Sequence, residues 1–160
     1  MTSVKLPNSR FCFACGLEND IGLKLTFYAD GEGGAVGEYV IAKHYESYPD
    51  MAHGGIVATI MDEALIRAMI LEDHHRMFYT AKLTTRLRRH VPVETPLKIT
   101  ARLLSDRGRT AEAESKIFDA DGNLLAEAQG LMVAVPDEDM QNMDLEELGW
   151  RVYPDEELVK

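Results

Sequence analysis

Residues 50–64, DMAHGGIVATIMDEA, place a histidine, two glycines and a carboxylate on one apolar segment. Asp62 follows His53 by nine residues and sits among Ile60, Met61 and Ala64. The glycines stand where a helix would begin. The first amides of a helix have no internal acceptor and carry the positive end of its dipole. Glycine lets another atom approach that backbone closely. A carbonyl oxygen aimed at the amide of Gly54 or Gly55 would be polarised, and an oxyanion stabilised more strongly. The competing reading is a sharp loop-to-helix turn with no ligand. Asp62 also has two readings: a solvated acid on a polar stripe, or a base or nucleophile beside an electrophilic carbonyl. Its neighbours Ile60, Met61 and Leu65 would limit solvent and raise its pKa.

A length argument constrains the second pair of readings. Gly54 and Asp62 are eight residues apart, which is about 12 Å along a helix axis. A donor and an attacking group must each lie within about 3 Å of one reacting carbonyl unit. An aspartate side chain does not span that gap. If both serve one reaction, they come from different chains. Two antiparallel helices side by side would create two such sites, so catalysis here implies a symmetric dimer.

The elements that must position these groups are legible from periodicity. LKLTFYAD (23–30) alternates, with Leu23, Leu25 and Phe27 on one face, and AVGEYVI (35–41) returns after the GEGG turn as a hairpin. From Gly54 to about Glu72 there is no proline, and Ala, Ile, Met, Leu and Glu favour helix. Apolar residues cover over half of its circumference, so it should be buried on most sides. Thr59, Asp62, Glu63 and Arg67 form a narrow polar stripe, with Glu63 and Arg67 paired at the surface. Four strands follow at 78–91, 96–106, 109–119 and 123–135. In the first, Ala81, Leu83, Thr85 and Leu87 share a face; in the third, Ala111, Ala113, Ser115 and Ile117 point inward. The order β-β-α-β-β-β-β predicts an α+β fold with an antiparallel sheet curled around one long helix.

Composition narrows the function classes. The chain has 160 residues, 46% hydrophobic and 28% charged, with a formal net charge of −10. One domain, residues 1–135, is followed by an acidic tail, residues 136–160, which holds nine acids against Arg151 and Lys160. Within that tail DLEELG predicts a short helix, and Trp150 with Tyr153 could pin an otherwise solvated appendage. An acidic chain lacks the positive field of a general nucleic-acid binder. No apolar run approaches the roughly 20 residues of a membrane span, and the first ten residues lack a secretory signal, so the expectation is a cytoplasmic protein. His74 and His75 read as solvated cations near the helix end. Cys12 and Cys15 form one CxxC, half of a four-ligand zinc site, with no second CxxC or His pair to complete it. Two reduced thiols are expected, and no metal.

HGGIVATIMDEA, after a hairpin and before four strands, resembles the hotdog-fold acyl-CoA thioesterases. It is nearest to the phenylacetyl-CoA and 4-hydroxybenzoyl-CoA thioesterase-like branch. CFACGLENDIGLKLTF resembles a stretch found in one branch of that superfamily, and the likeness covers roughly residues 10–135. The resemblance implies dimers joined sheet edge to edge, often paired into tetramers. It implies Asp62 as the catalytic carboxylate, the Gly54 amide on the thioester oxygen, Gly55 beside it and His53 shaping the loop. Thr80 takes a supporting place. Where relatives often carry Asn or Gln six residues before the histidine, this chain has Ser47, with Tyr48 next to it.

Acyl-CoA as substrate requires groups for its phosphates. Arg88 and Arg89 in RLRRH and Arg109 in DRGRT are the candidates, against the alternative of an exposed charged face. No cofactor is implied. Asp62 would either activate water or attack the carbonyl to give a mixed anhydride. Rival readings are a hotdog hydratase or dehydratase and a non-catalytic acyl-CoA binding module. The acyl pocket would depend on Met61, Leu65, Met69, Phe78 and Tyr79.

Overall fold

Helix α1, Gly54–Met69, is the axis of the computed structural model, which describes residues 4–155. Strands β1 (Val4–Lys5), β2 (Tyr28–Ala29), β3 (Gly34–Val40), β4 (Phe78–Leu87), β5 (Pro96–Asp106), β6 (Thr110–Phe118) and β7 (Leu124–Ala134) form one sheet. Their order in the sheet is β1-β2-β3-β5-β6-β7-β4, and every pairing is antiparallel. The sheet packs on α1 from β3 through β7. Val57, Ile60, Met61, Ala64 and Leu65 are fully buried against it. Gly130 on β7 permits the close approach: a Cβ there would come 2.7 Å from Leu65 Cδ1.

Alternation sets the inward faces. Ala111, Ala113, Ser115 and Ile117 of β6 are buried as their spacing predicts. The residues between β6 and β7 turn through Gly122, at φ 82°, with Asp119 Oδ1 accepting from the Asp121 and Asn123 amides.

Four local expectations are corrected. In 23–30 only Tyr28–Ala29 pairs as strand. Leu23, Leu25 and Phe27 are buried together, but their segment bonds the N-terminal loop instead, through Leu23 N to Phe13 O and Leu25 N to Ala14 O. Lys24, at φ 54°, breaks the extended run. The helix ends at Met69 and not near 72, because the chain must turn back to begin β4 at Phe78. In β4 the predicted face is interrupted by a bulge between Thr80 and Lys82, which leaves Ala81 exposed and places Thr80 on the side of Leu83 and Thr85. In the tail, DLEELG makes turns. The short helix is instead α2, Asp137–Gln141, where Pro136 caps and three acids suit the N-terminal dipole.

The tail returns along the N-terminal segment. Asn8 and Arg151 exchange backbone hydrogen bonds at 2.9 and 3.2 Å, and Arg10 N donates to Leu148 O. Trp150 Nε1 donates to His74 O at 2.6 Å, and its ring lies 4.9 Å from the Arg67 guanidinium carbon. Lys5 pairs with Asp155 at 2.7 Å. Residues 156–160 of the expected tail lie outside the described residues.

The Glu63–Arg67 pair is buried, not at the surface. Arg67 is 2% and Glu63 8% exposed. Arg67 also donates to Pro7 O at 2.7 Å, so the N-terminal segment seals this side of the helix.

Candidate active site

The helix entrance is built by His53. Its backbone is extended, at φ −62° and ψ 133°, and its Nδ1 accepts from Gly55 N at 3.0 Å. Its carbonyl takes the amides of Ile56 and Val57 at 2.9 and 3.1 Å. The histidine therefore acts as the helix cap, with Nδ1 unprotonated. A Cβ on Gly55 would meet that ring at 3.1 Å, so glycine makes room for the cap. Gly54 is different. Among the described residues its amide has no acceptor, and a Cβ there would meet nothing within 4 Å. An exposed residue at the positive end of the dipole thus carries an amide with no acceptor among the described residues.

Asp62 lies two turns further on and is half-buried. Thr80 Oγ1 donates to Asp62 Oδ1 at 2.6 Å. The β4 bulge makes this contact possible, since without it Thr80 would face away from Leu83 and the helix. Burial pushes the Asp62 carboxyl above its ordinary value; the Thr80 hydrogen bond pulls down, and the neighbouring Glu63 charge pushes up again. A half-buried carboxylate with one hydroxyl donor keeps oxygen capacity for a further partner such as a water proton.

The structure joins Asp62 with Thr80, and His53 with Gly54 and Gly55. It does not join the two groups within one chain, where the helix separates them by about 12 Å. Ser47 is exposed. Its amide and hydroxyl both donate to Met51 O, at 2.8 and 3.3 Å, bracing the loop before His53. Arg88 and Arg89 follow β4 and hang their amides on Leu125 O; Arg88 also pairs with Glu127 at 2.6 Å. Arg109 sits at the other end of the sheet, where its carbonyl accepts from Ala134 N beside the start of β4. Ten strand residues span about 30 Å, so Arg109 and the Arg88–Arg89 pair cannot hold one phosphate within one chain. Met61, Leu65, Met69 and Phe78 fill the core of the single chain, whereas Tyr79 is 53% exposed.

Glu63 had no chemical role in the spacing, yet its carboxylate meets the thiols of Cys12 and Cys15. The signal was an i,i+4 ion pair on a helix with almost no polar face to carry it. The neighbouring Cys15 thiol lowers the Cys12 pKa, and the same contact, with burial, raises that of Cys15.

Residues 50–126 match the thioesterase superfamily. No curated protein matches the chain. A solved thioesterase superfamily protein is 29% identical, with a TM-score of 0.71, over 78% of this chain. This chain spans only 60% of that protein's length. A second solved member is 27% identical, with a TM-score of 0.63, over 69% of this chain and 84% of its own. The E. coli PaaI protein, from the phenylacetic acid degradation operon, shares the fold at 18% identity and a TM-score of 0.65, over 74% of this chain and 87% of its own. The hotdog fold is thus common to all of them. The HGG helix entrance and its acid lie inside the matched stretch, so over residues 50–126 the chain is similar to the thioesterase superfamily, and it shares that superfamily's hotdog fold.

Proposed function

We propose that the protein is an acyl-CoA thioesterase whose two active sites form only in a symmetric dimer. The observation that carries the reading is the unpaired Gly54 amide at a helix entrance, on the same helix as a half-buried acid it cannot reach. In the site, the Gly54 amide of one subunit polarises the thioester oxygen and receives the developing negative charge. Asp62 of the other either activates water, or attacks the carbonyl carbon to form a mixed anhydride that water then cleaves to the free acid and the Asp62 carboxylate; in both cases the carbon–sulfur bond breaks and CoA leaves as the thiolate. Thr80 positions the Asp62 carboxylate. The protein's chemistry lies in residues 1–135, and the tail braces the helix from behind.

The free edge of β4 supplies a route to that dimer. A strand at the end of a sheet offers unpaired backbone groups to another strand. Antiparallel pairing of β4 with its own copy sets the Thr80 end of one strand beside the Leu87 end of the other. Asp62 lies at the first end. At the second, the Ala52 amide bonds Val91 O just before Gly54. The same pairing brings Arg109 of one subunit toward Arg88 and Arg89 of the other, where a CoA phosphate would sit. Arg88 and Arg89 of one subunit and Arg109 of the other then serve binding as a set that no single chain brings together.

The test is a panel of aromatic and aliphatic acyl-CoA thioesters, read by release of free CoA thiol, with mass measured in solution. Turnover of some panel members by a dimeric or tetrameric protein supports the reading. Binding without turnover across the panel identifies a binding module and overturns it.

A further inference from the structure

Behind α1, away from Thr80, a second cluster of donor atoms has no task in thioester chemistry. Cys12 Sγ, Cys15 Sγ and a Glu63 carboxylate oxygen all lie within 4.8 Å of one another. Cys15 is 2% and Glu63 8% exposed, and Cys12 is half-buried. The loop that presents the sulfurs is built. Gly16 N donates to Cys12 O at 2.7 Å, closing one tight turn around both cysteines. A Cβ on Gly16 would come 2.4 Å from that carbonyl, so only glycine fits. Asn8, fully buried, donates its amide to Cys15 O and Leu25 O, each at 2.8 Å, and Cys12 N bonds Ser9 Oγ at 3.3 Å.

We propose that Cys12, Cys15 and Glu63 bind one zinc ion, which pins the N-terminal loop to α1. Two thiolates and a carboxylate are ligands zinc takes readily, and thiolates disfavour magnesium and calcium. Zn–S bonds of about 2.3 Å in a tetrahedron hold two sulfurs roughly 3.8 Å apart. The three donors therefore need only small side-chain rotations to close on a metal. Water takes the fourth position from the exposed side of Cys12. Charge is conserved in the buried site. Two thiol protons leave as one dication enters, while Arg67 continues to offset the Glu63 charge. The CxxC is half of a zinc site by spacing, and the helix supplies a third ligand in Glu63. Glu63 follows Asp62 but projects about 100° around the helix. The metal is accordingly structural, fixing the helix that carries the acid without touching the thioester.

Zinc itself is the probe. The full-length protein is stripped with a chelator under a phosphine reductant and titrated with zinc against a colorimetric competitor. One zinc per chain is expected, with both thiols protected from a disulfide reagent. Cobalt in place of zinc should show thiolate-to-metal charge-transfer absorption. Cys12→Ala changes a half-buried side chain and leaves the core intact; it should weaken retention by at least about 100-fold. A protein that binds no more zinc than the Cys12→Ala, Cys15→Ala double variant overturns the site. So does unchanged thiol reactivity at saturating zinc.

Discussion

Asp62 and Glu63 are consecutive acids on one helix, and the molecule treats them in opposite ways. Asp62 faces the edge strand, half-buried, with a single hydroxyl donor from Thr80. Glu63 faces inward, sealed by the N-terminal loop and the tail, and is paired with Arg67. On the Asp62 side an acid is kept available, its pKa raised by burial. On the Glu63 side the charge is compensated by Arg67, which Trp150 and Pro7 hold in place. A step of one residue turns a helix by about 100°, enough to separate a reactive flank from a structural one.

The largest expected effects break the comparison at each acid. Asp62→Asn should lower turnover by about 10²–10⁴, the usual worth of a positioned acid or base, while the fold survives. Its stability should not fall at neutral pH. An acid whose folded pKa is raised stabilises the fold below its unfolded pKa and loses that contribution as pH rises through the folded value. At neutral pH the ionised Asp62 is therefore a burden that asparagine removes. Urea midpoints of the two proteins at pH 5 and 8 check the sign, since the variant's advantage should grow with pH.

Arg67→Met should do the reverse. It leaves Glu63 buried without a counter-charge and should cost about 3–5 kcal/mol of stability. Adding Glu63→Met should recover most of that loss, because the pair rather than either charge is what the interior tolerates. Denaturant unfolding of the single and double variants measures both steps. If the single variant unfolds like the parent, the buried pair has no structural weight.

Thr80→Val is the smallest change and sharpens the reactive flank. Removing the hydroxyl removes the interaction that lowers the Asp62 pKa. The acidic limb of the kcat/KM profile should move to higher pH, with binding little changed. A limb that stays in place would detach Asp62 from the rate.

Legibility in the sequence divides along the same line. The α+β order, the long buried helix and the inward face of β6 follow from periods of 3.6 and 2 residues. The acid and the helix entrance were visible because glycines interrupt an apolar run. The Thr80–Asp62 contact was not derivable from alternation, since the bulge at Ala81 reverses the face of every residue beyond it. The burial of Glu63 and Arg67 was hidden for a different reason. An i,i+4 pair reads as solvated until another segment covers it, and here the cover comes from residues at both chain ends. The failed strand at 23–27 has the same origin, its backbone bonds going to the N-terminal loop.

Mixing two inactive variants tests the shared site most directly. Gly54 is the first residue of α1, where proline is tolerated, and His53 already has the extended backbone that precedes proline. Gly54→Pro thus deletes the donor amide alone. Asp62→Asn and Gly54→Pro homodimers should each be nearly inactive. After the two are unfolded together and refolded at equal ratio, mixed dimers hold one intact site, and activity should return to about a quarter of wild type. Activity no greater than that of the separate variants would contradict a thioester held between two subunits.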